Sequence, residues 1–420
     1  MPTGFSRRHA LKTGAAFALA TPAYLRSTSG AHAATTLKLG LVSPQTGPLA
    51  SFGEADQYVI DAVRKAVAGG IETPEGLVNI EIAVRDTQSN PNRAAEVAAD
   101  LLLDEEVSIL LAASTPDTTN PAADQAELNG TPCITTDTPW QAHFFGRNGD
   151  PAVGFDYTYH FFWGLEGVVG AFLDMWRSSG AAPVVGGLFP NDPDGNAWAD
   201  PVNGFPAPLA EAGFALVDGG RFQPLNDDFS AQISAFKQAG VEIVTGVMIP
   251  PDFATFWQQA AQQEFRPKVV TVGKALLFPS VIDSLGARGM GLTTEVWWSP
   301  SHPYRSGLTG QTAQALAAEY MAATGRPWTQ PLGFKHALFE VAIDAIKRAE
   351  TLDPEAIRDA IAATRYQSVV GPVDWSRGPV KNVSTTDLVA GQWQTGTDLV
   401  ITNNGTSPHI PVGGPLQLIG

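Results

Sequence analysis

The chain has 420 residues, 44% hydrophobic and 16% charged, with 42 acidic side chains against 26 basic and a formal charge of −16 at neutral pH. Such an acid excess makes nucleic acid and anionic lipid surfaces poor partners, since both need a basic face. One cysteine, Cys133, excludes an intramolecular disulfide, an iron–sulfur cluster or a cysteine-based zinc site.

Residues 1–33 read as a targeting segment. Arg7-Arg8 is followed by a mildly apolar run from Thr13 to Leu25, interrupted by Pro22, and Ala31-His32-Ala33 offers a small-x-small cleavage pattern. The segment resembles a twin-arginine export signal, although Ala10 stands where an aromatic residue is usual; a basic disordered N-terminus is the alternative. Its basic groups are Arg7, Arg8, Lys12 and Arg26, so removal takes the basic count from 26 to 22 against 42 acidic side chains, a net charge of −20. No later apolar run approaches the roughly 20 residues of a membrane helix.

The remaining 387 residues exceed what one core usually supports and suggest two domains. Leu37 to Gly53 comes first: an apolar strand runs into a small-residue turn with Thr46-Gly47, and a helix opens behind it. Strand candidates follow at Val78–Val84, Ser108–Ala112, Cys133–Thr135, Val184–Leu188, Val241–Val247 and Val269–Val272. Between them lie helical stretches such as Glu54–Val67, Asn92–Asp104, Glu166–Arg177, Asp228–Gln238 and Phe253–Gln263. This alternation predicts an α/β fold of parallel sheets with helices on both faces, with a break in the aromatic and Gly-rich stretch Thr138 to Phe162. Cys133, in an apolar run, reads as a small packed hydrophobe.

Catalytic motifs are absent: no Gly-x-Ser-x-Gly, His-Glu-x-x-His, phosphate-cradling glycine loop or dinucleotide fingerprint occurs. Ser234 and Lys237 have a serine–lysine spacing too loose to carry an argument, and the histidines at 143, 160, 302, 336 and 409 include no pair spaced for one helix face. Neither an enzyme, a metal nor a cofactor is expected.

Three separated segments carry a family resemblance: Gly40-Leu-Val-Ser-Pro-Gln-Thr-Gly47 with Phe52-Gly53; Asn79–Asp86 with Asn90-Pro-Asn-Arg-Ala-Ala95; and Ser368-Val-Val-Gly-Pro-Val-Asp-Trp375. In this order, over essentially all of residues 36–400, the chain resembles the branched-chain amino-acid-binding receptors of ABC importers. The resemblance implies a type I periplasmic binding protein: two doubly wound parallel-sheet lobes, joined by three crossing strands, that close over a ligand. It places lobe one at 36–158 plus 299–369, and lobe two with the C-terminal segment at 161–295 plus 371–420, with crossings near Tyr157–Phe162, Thr294–Ser299 and Val369–Val373. The implied partners are a small carboxylate-bearing ligand and an inner-membrane ABC permease, and the implied form is a periplasmic monomer. A secreted α/β enzyme exported with its cofactor, or a sensor for a membrane signalling protein, are the alternative readings.

The family's cleft carries onto particular residues. Phe52 falls where an aromatic wall is common, or it staples the following helix. Ser114, Thr115, Asp117 and Thr118 fall where hydroxyls and backbone N–H groups meet a ligand carboxylate, or they cap the next helix. Thr136, Asp137 and Thr138 match the other carboxylate-side loop. From lobe two, Asp194 and Trp198 stand in the expected lid, with Trp198 alternatively packing on its own lobe, and Ile249 begins a proline-stiffened wall. After Val269–Val272, where amino-acid-binding members commonly have an acidic residue, the chain has Lys274, which repels an ammonium and pairs with an acidic ligand, implying a carboxylic acid without an α-amino group, or reaches solvent at the rim. Trp297-Trp298 is the strongest tryptophan candidate for ligand contact, ahead of Trp140, Trp163 and Trp257, with Trp375 structural.

Overall fold

A computed structural model describes residues 35–405 and 407–419. The expected export segment lies outside them.

Strand Thr35–Ser43 is buried along nearly its whole length, as a central parallel strand covered on both faces must be. It pairs in parallel with Gly76–Asp86 on one side and Ile109–Ala113 on the other. The first sheet continues through Cys133–Thr136 and Thr158–Phe161 to Val383–Ser384, all parallel, and ends at its other edge in the short antiparallel strand Ile71–Thr73. The second sheet runs Ala215–Phe222, Val184–Pro190, Ile243–Met248, Val269–Lys274, Thr293–Val296, Val389–Thr395, Asp398–Asn403. Its last two strands are antiparallel to their neighbours.

Helix starts follow their caps. Asn90 accepts from the Arg93 backbone N–H at 3.0 Å and Asp192 from that of Gly195 at 2.7 Å, each before a proline at the first helical position. Helix Gln330–Arg348 is buried over most of its length and packs Leu332, Phe334, Leu338, Phe339 and Val341 inside; each such side chain contributes about 1.5–3 kcal/mol. Cys133 packs among Val97, Leu101 and Leu110, as its apolar neighbours predict.

The chain passes from the first sheet to the second between Phe161 and Val184, leaves the second sheet after Val296, and returns to it between Ser384 and Val389. A third crossing near Val369–Val373 is therefore not where the chain changes lobe. Ser368 and Gly371 instead turn a small antiparallel hairpin, Arg365–Ser368 with Gly371–Asp374, closed by the Ser368 hydroxyl donating to the Gly371 carbonyl at 2.7 Å. After it the chain still adds Val383–Ser384 to the first sheet, so residues 371–384 belong with lobe one. Alternating apolar residues around a Gly-Pro pair serve a hairpin as well as a crossing strand, and only pairing separates the two.

Among the described residues no helix is long and apolar enough to cross a membrane.

Candidate functional site

The C-terminal ends of the parallel strands in both sheets converge on one cavity of about 30 Å³ between the lobes, the place where open α/β sheets present loops and helix N-termini.

On the first-lobe side, strand Ile109–Ala113 ends at Ser114 and Thr115, and helix Pro116–Asn129 follows. Thr115 sits at the N-cap but donates its hydroxyl to Asp117 Oδ2 at 3.2 Å and does not cap the helix with its side chain. The hydroxyls of Ser114 and Thr118 are buried with no partner among the described residues. In the next loop Thr136 donates to the Phe161 carbonyl at 2.7 Å, so that hydroxyl is engaged within the sheet. Asp137 adopts φ +63°, a left-handed conformation uncommon for a residue with a side chain. Its carboxylate is 4% exposed, lines the cavity, and has neither oxygen hydrogen-bonded among the described residues. Burial pushes its pKa up to about 8, opposed in part by Lys335. Thr138 has an unpartnered hydroxyl, while its carbonyl accepts from His160 Nε2–H at 2.8 Å and holds the loop. Phe52 lines the cavity and meets Phe278 of the second lobe edge-on, ring centroids 5.0 Å apart. The Thr46-Gly47 turn faces elsewhere: Asp86 accepts from the Thr46 hydroxyl at 2.6 Å, and Gly47 holds φ +87°.

On the second-lobe side, Lys274 ends its strand at φ +64°. It does not reach solvent at the rim, and carboxylates of the protein already surround it. Its side chain is 4% exposed and its ammonium lies 2.6 Å from Asp194, 3.9 Å from Asp192 and 4.0 Å from Asp117 of the first lobe. Burial works against the lysine's charge, but the three carboxylates together outweigh it and hold its pKa above the ordinary value. Asp194 is pushed up to about 6, by burial first, with Lys274 opposing and Asp192 adding; its Oδ1 has no partner among the described residues. Trp198 is buried in the cavity wall with its indole N–H unpartnered among the described residues, and it also stacks on Phe205 at 5.0 Å. It thus lines the cavity and packs on its own lobe. Ile249 is buried at the start of helix Pro250–Gln262, and Val247, two residues earlier, lines the cavity in its place.

Of the tryptophans, Trp163 and Trp297 line the cavity with unpartnered indole N–H groups. Trp298 donates to the Val369 carbonyl at 3.1 Å, Trp140 to Glu166 and Trp257 to the Arg288 carbonyl, so these three are structural, as is Trp375, which donates to the Ile361 carbonyl.

Two features escaped sequence reasoning. Glu295, in the buried strand Thr293–Val296, lines the cavity; burial raises its pKa to about 7 while its oxygens accept from Thr294 at 2.7 Å and the Lys274 backbone N–H at 3.2 Å. Nothing in Thr293-Thr294-Glu295-Val296 marks it, since a threonine-rich strand with one charge reads equally well as a surface edge. Behind the first-lobe face, Lys335 donates to Asp56 at 2.9 Å and to the Ser43 hydroxyl at 2.6 Å, with both ionic side chains 1% exposed. Nothing local marks that pair, whose members are 279 residues apart.

A family model described as "Periplasmic binding protein" matches residues 36–398. Among solved structures, a leucine binding protein LivK from Thermotoga maritima is 21% identical, with a TM-score of 0.71 over 86% of this chain and 97% of that one. The substrate binding protein LivJ from Streptococcus pneumoniae, in complex with isoleucine, is 17% identical, TM-score 0.68, over 92% and 99%. A solute binding protein of an ABC transporter from Rhodopseudomonas palustris, in complex with 3,4-dihydroxybenzoic acid, is 17% identical, TM-score 0.69, over 89% and 99%. Two mostly parallel sheets whose strand ends meet across a cavity, together with a family match over nearly the whole described chain, place it: the chain belongs to the periplasmic binding protein family and has the type I fold.

Proposed function

We propose that the protein is an extracytoplasmic receptor of an ABC importer, exported by the twin-arginine-like segment, acting as a monomer, and capturing a small carboxylate-bearing solute between its lobes. The observation that carries this reading is the cavity itself: both lobes line it, and it gathers buried polar groups without partners among the described residues. In this reading the carboxylate meets the hydroxyls of Ser114 and Thr118 at the N-terminus of helix Pro116–Asn129, where orphan N–H groups and the helix dipole favour an anion, and that of Thr138 in the loop after Cys133–Thr136. Aromatic faces of Phe52, Phe162 and Trp297 receive the rest of the solute. Isoleucine and 3,4-dihydroxybenzoic acid, bound by two structural neighbours, each carry a carboxylate.

About 30 Å³ admits only a few atoms. Solute access therefore requires the lobes to part, breaking Phe52–Phe278 and the Lys274–Asp117 approach, and binding draws them back together. A permease would recognise the closed form.

Mass spectrometry of solute that copurifies, followed by a thermal-shift screen of amino acids and organic acids, tests this. A ligand at 100 times its Kd adds about 2.7 kcal/mol of stability. Small-angle scattering should show compaction on binding; turnover of the solute, or binding without compaction, would overturn the receptor reading.

A further inference from the structure

The cavity's charge is out of balance in a way that narrows the solute. Three carboxylates line it, Asp137, Asp194 and Glu295, against the single ammonium of Lys274. Asp192 and Asp117 already crowd that ammonium from outside the lining. A simple organic acid would bring one more negative charge into this surplus. Asp137 is the outstanding group: it lines the cavity and both its oxygens are buried without a hydrogen-bond partner among the described residues, while its charged neighbours Lys335 and Asp56 are paired with each other. A buried carboxylate in this position is either protonated or waiting for a donor.

The surrounding walls are flat. Phe162 meets Trp297 at 77° with centroids 5.0 Å apart, and Trp163 meets Trp198 at 77° and 6.5 Å, so indole and phenyl faces bound the space on several sides. Aromatic faces favour a weakly hydrated, delocalised cation, and a carboxylate with two unpartnered oxygens favours a donor that forks. A primary ammonium is compact and strongly hydrated; a fully methylated one has no N–H for Asp137.

We propose that the solute, resting on the receptor reading above, carries a planar N–H-rich cation of the guanidinium or amidinium class beside its carboxylate, forked onto Asp137 and lying against an aromatic face of the cavity wall. Lys274 then acts as a specificity-determining residue, because together with Asp194 it limits how much positive charge the cavity accepts.

Titration calorimetry with guanidinoacetate, leucine, benzoate and glycine betaine, at pH 6 and pH 8, tests the proposal. Guanidinoacetate should bind at least tenfold tighter than the other three, and tighter at pH 8 than at pH 6. The sign follows from the groups around the site. Asp137 faces Lys335 and Asp56; Asp194 faces Lys274, Asp192 and Asp117; Glu295 faces Asp194 and Lys274. A bound cation lowers the raised pKa values of these carboxylates, so protons leave on binding and the heat depends on the buffer. Asp137→Asn should weaken guanidinoacetate tenfold or more, and Lys274→Met should tighten it. If leucine or benzoate binds tighter, or affinity falls as pH rises, the inference fails and the receptor reading stands. Tighter binding of glycine betaine also overturns it. If no solute binds and no compaction follows, the receptor reading fails with it.

Discussion

The two faces of the cleft are built alike and charged differently. In each, a buried parallel strand closes on an ionisable residue at positive φ, Asp137 just after its strand on the first lobe at φ +63° and Lys274 on the second at φ +64°. Such strain costs on the order of 1–3 kcal/mol and persists where the surrounding structure over-determines it. Asp137 faces the cavity with no hydrogen-bond partner among the described residues, whereas Lys274 is met by three aspartates. A charged residue at a strand end thus says little about a ligand until its protein partners are known. The first face is open and the second is already compensated.

That contrast can be broken most strongly from beneath the first face. Asp56→Ala leaves Lys335 buried and uncompensated, and chemical denaturation should show a loss of about 3–5 kcal/mol. Pairing it with Lys335→Met should restore much of this loss, because a well-packed apolar pair replaces a desolvated ionic one. On the second face, a Cβ at Gly273 would lie 2.7 Å from the Trp198 ring and 3.2 Å from Glu295 Oε1. Gly273→Ala should therefore cost about 1–3 kcal/mol by overpacking and reduce solute affinity by displacing the indole wall, read by thermal melts and calorimetry.

A pH series sharpens the comparison. Asp137, Glu295 and Asp194 have folded pKa values raised to about 8, 7 and 6, chiefly by burial. The folded state then holds protons that the unfolded state has released, so their stabilising contribution is complete below the ordinary carboxylate range and is lost as pH climbs towards 8. Solute-free melting temperatures should fall between pH 5 and pH 8, and Asp137→Asn should flatten the upper part of that decline. A rise over this range would show that these groups ionise in the folded protein as freely as in the unfolded chain. The smallest effect belongs to Thr136→Val. Its hydroxyl is engaged with the Phe161 carbonyl, so a loss of about 1 kcal/mol in stability with unchanged solute affinity is expected. Ser114→Ala, where the hydroxyl has no partner among the described residues, should do the reverse.

Much of the architecture was legible because parallel strands buried on both faces leave continuous apolar runs. Thr35–Ser43, Ile109–Ala113 and Val269–Lys274 all announce themselves this way. The loops that follow them were legible too, and Phe52, Thr115, Asp137, Asp194, Trp198 and Lys274 do line one cavity. Ser114, Thr118 and Thr138 lie buried beside it, Asp117 approaches it only through Lys274, and Thr136 and Ile249 are engaged in packing. Glu295 was illegible because the short polar strand Thr293–Val296 gives no local sign that it is buried, and the crossing after Ser384 because a hairpin and a crossing strand share one local pattern.

Local sequence determined the alternation of strands and helices, the caps, and the positions where strand ends would open into loops, since these depend on neighbours within a turn or a pleat. Tertiary structure alone decided the charge of the cleft. Lys274 sits 157 residues from Asp117 and 80 from Asp194 by number, yet their separations of 4.0 and 2.6 Å determine whether that lysine is a receptor for anions or a paired group. Coulomb energy in a desolvated cavity depends on distance through space, and nothing in the order of residues along a chain encodes that distance.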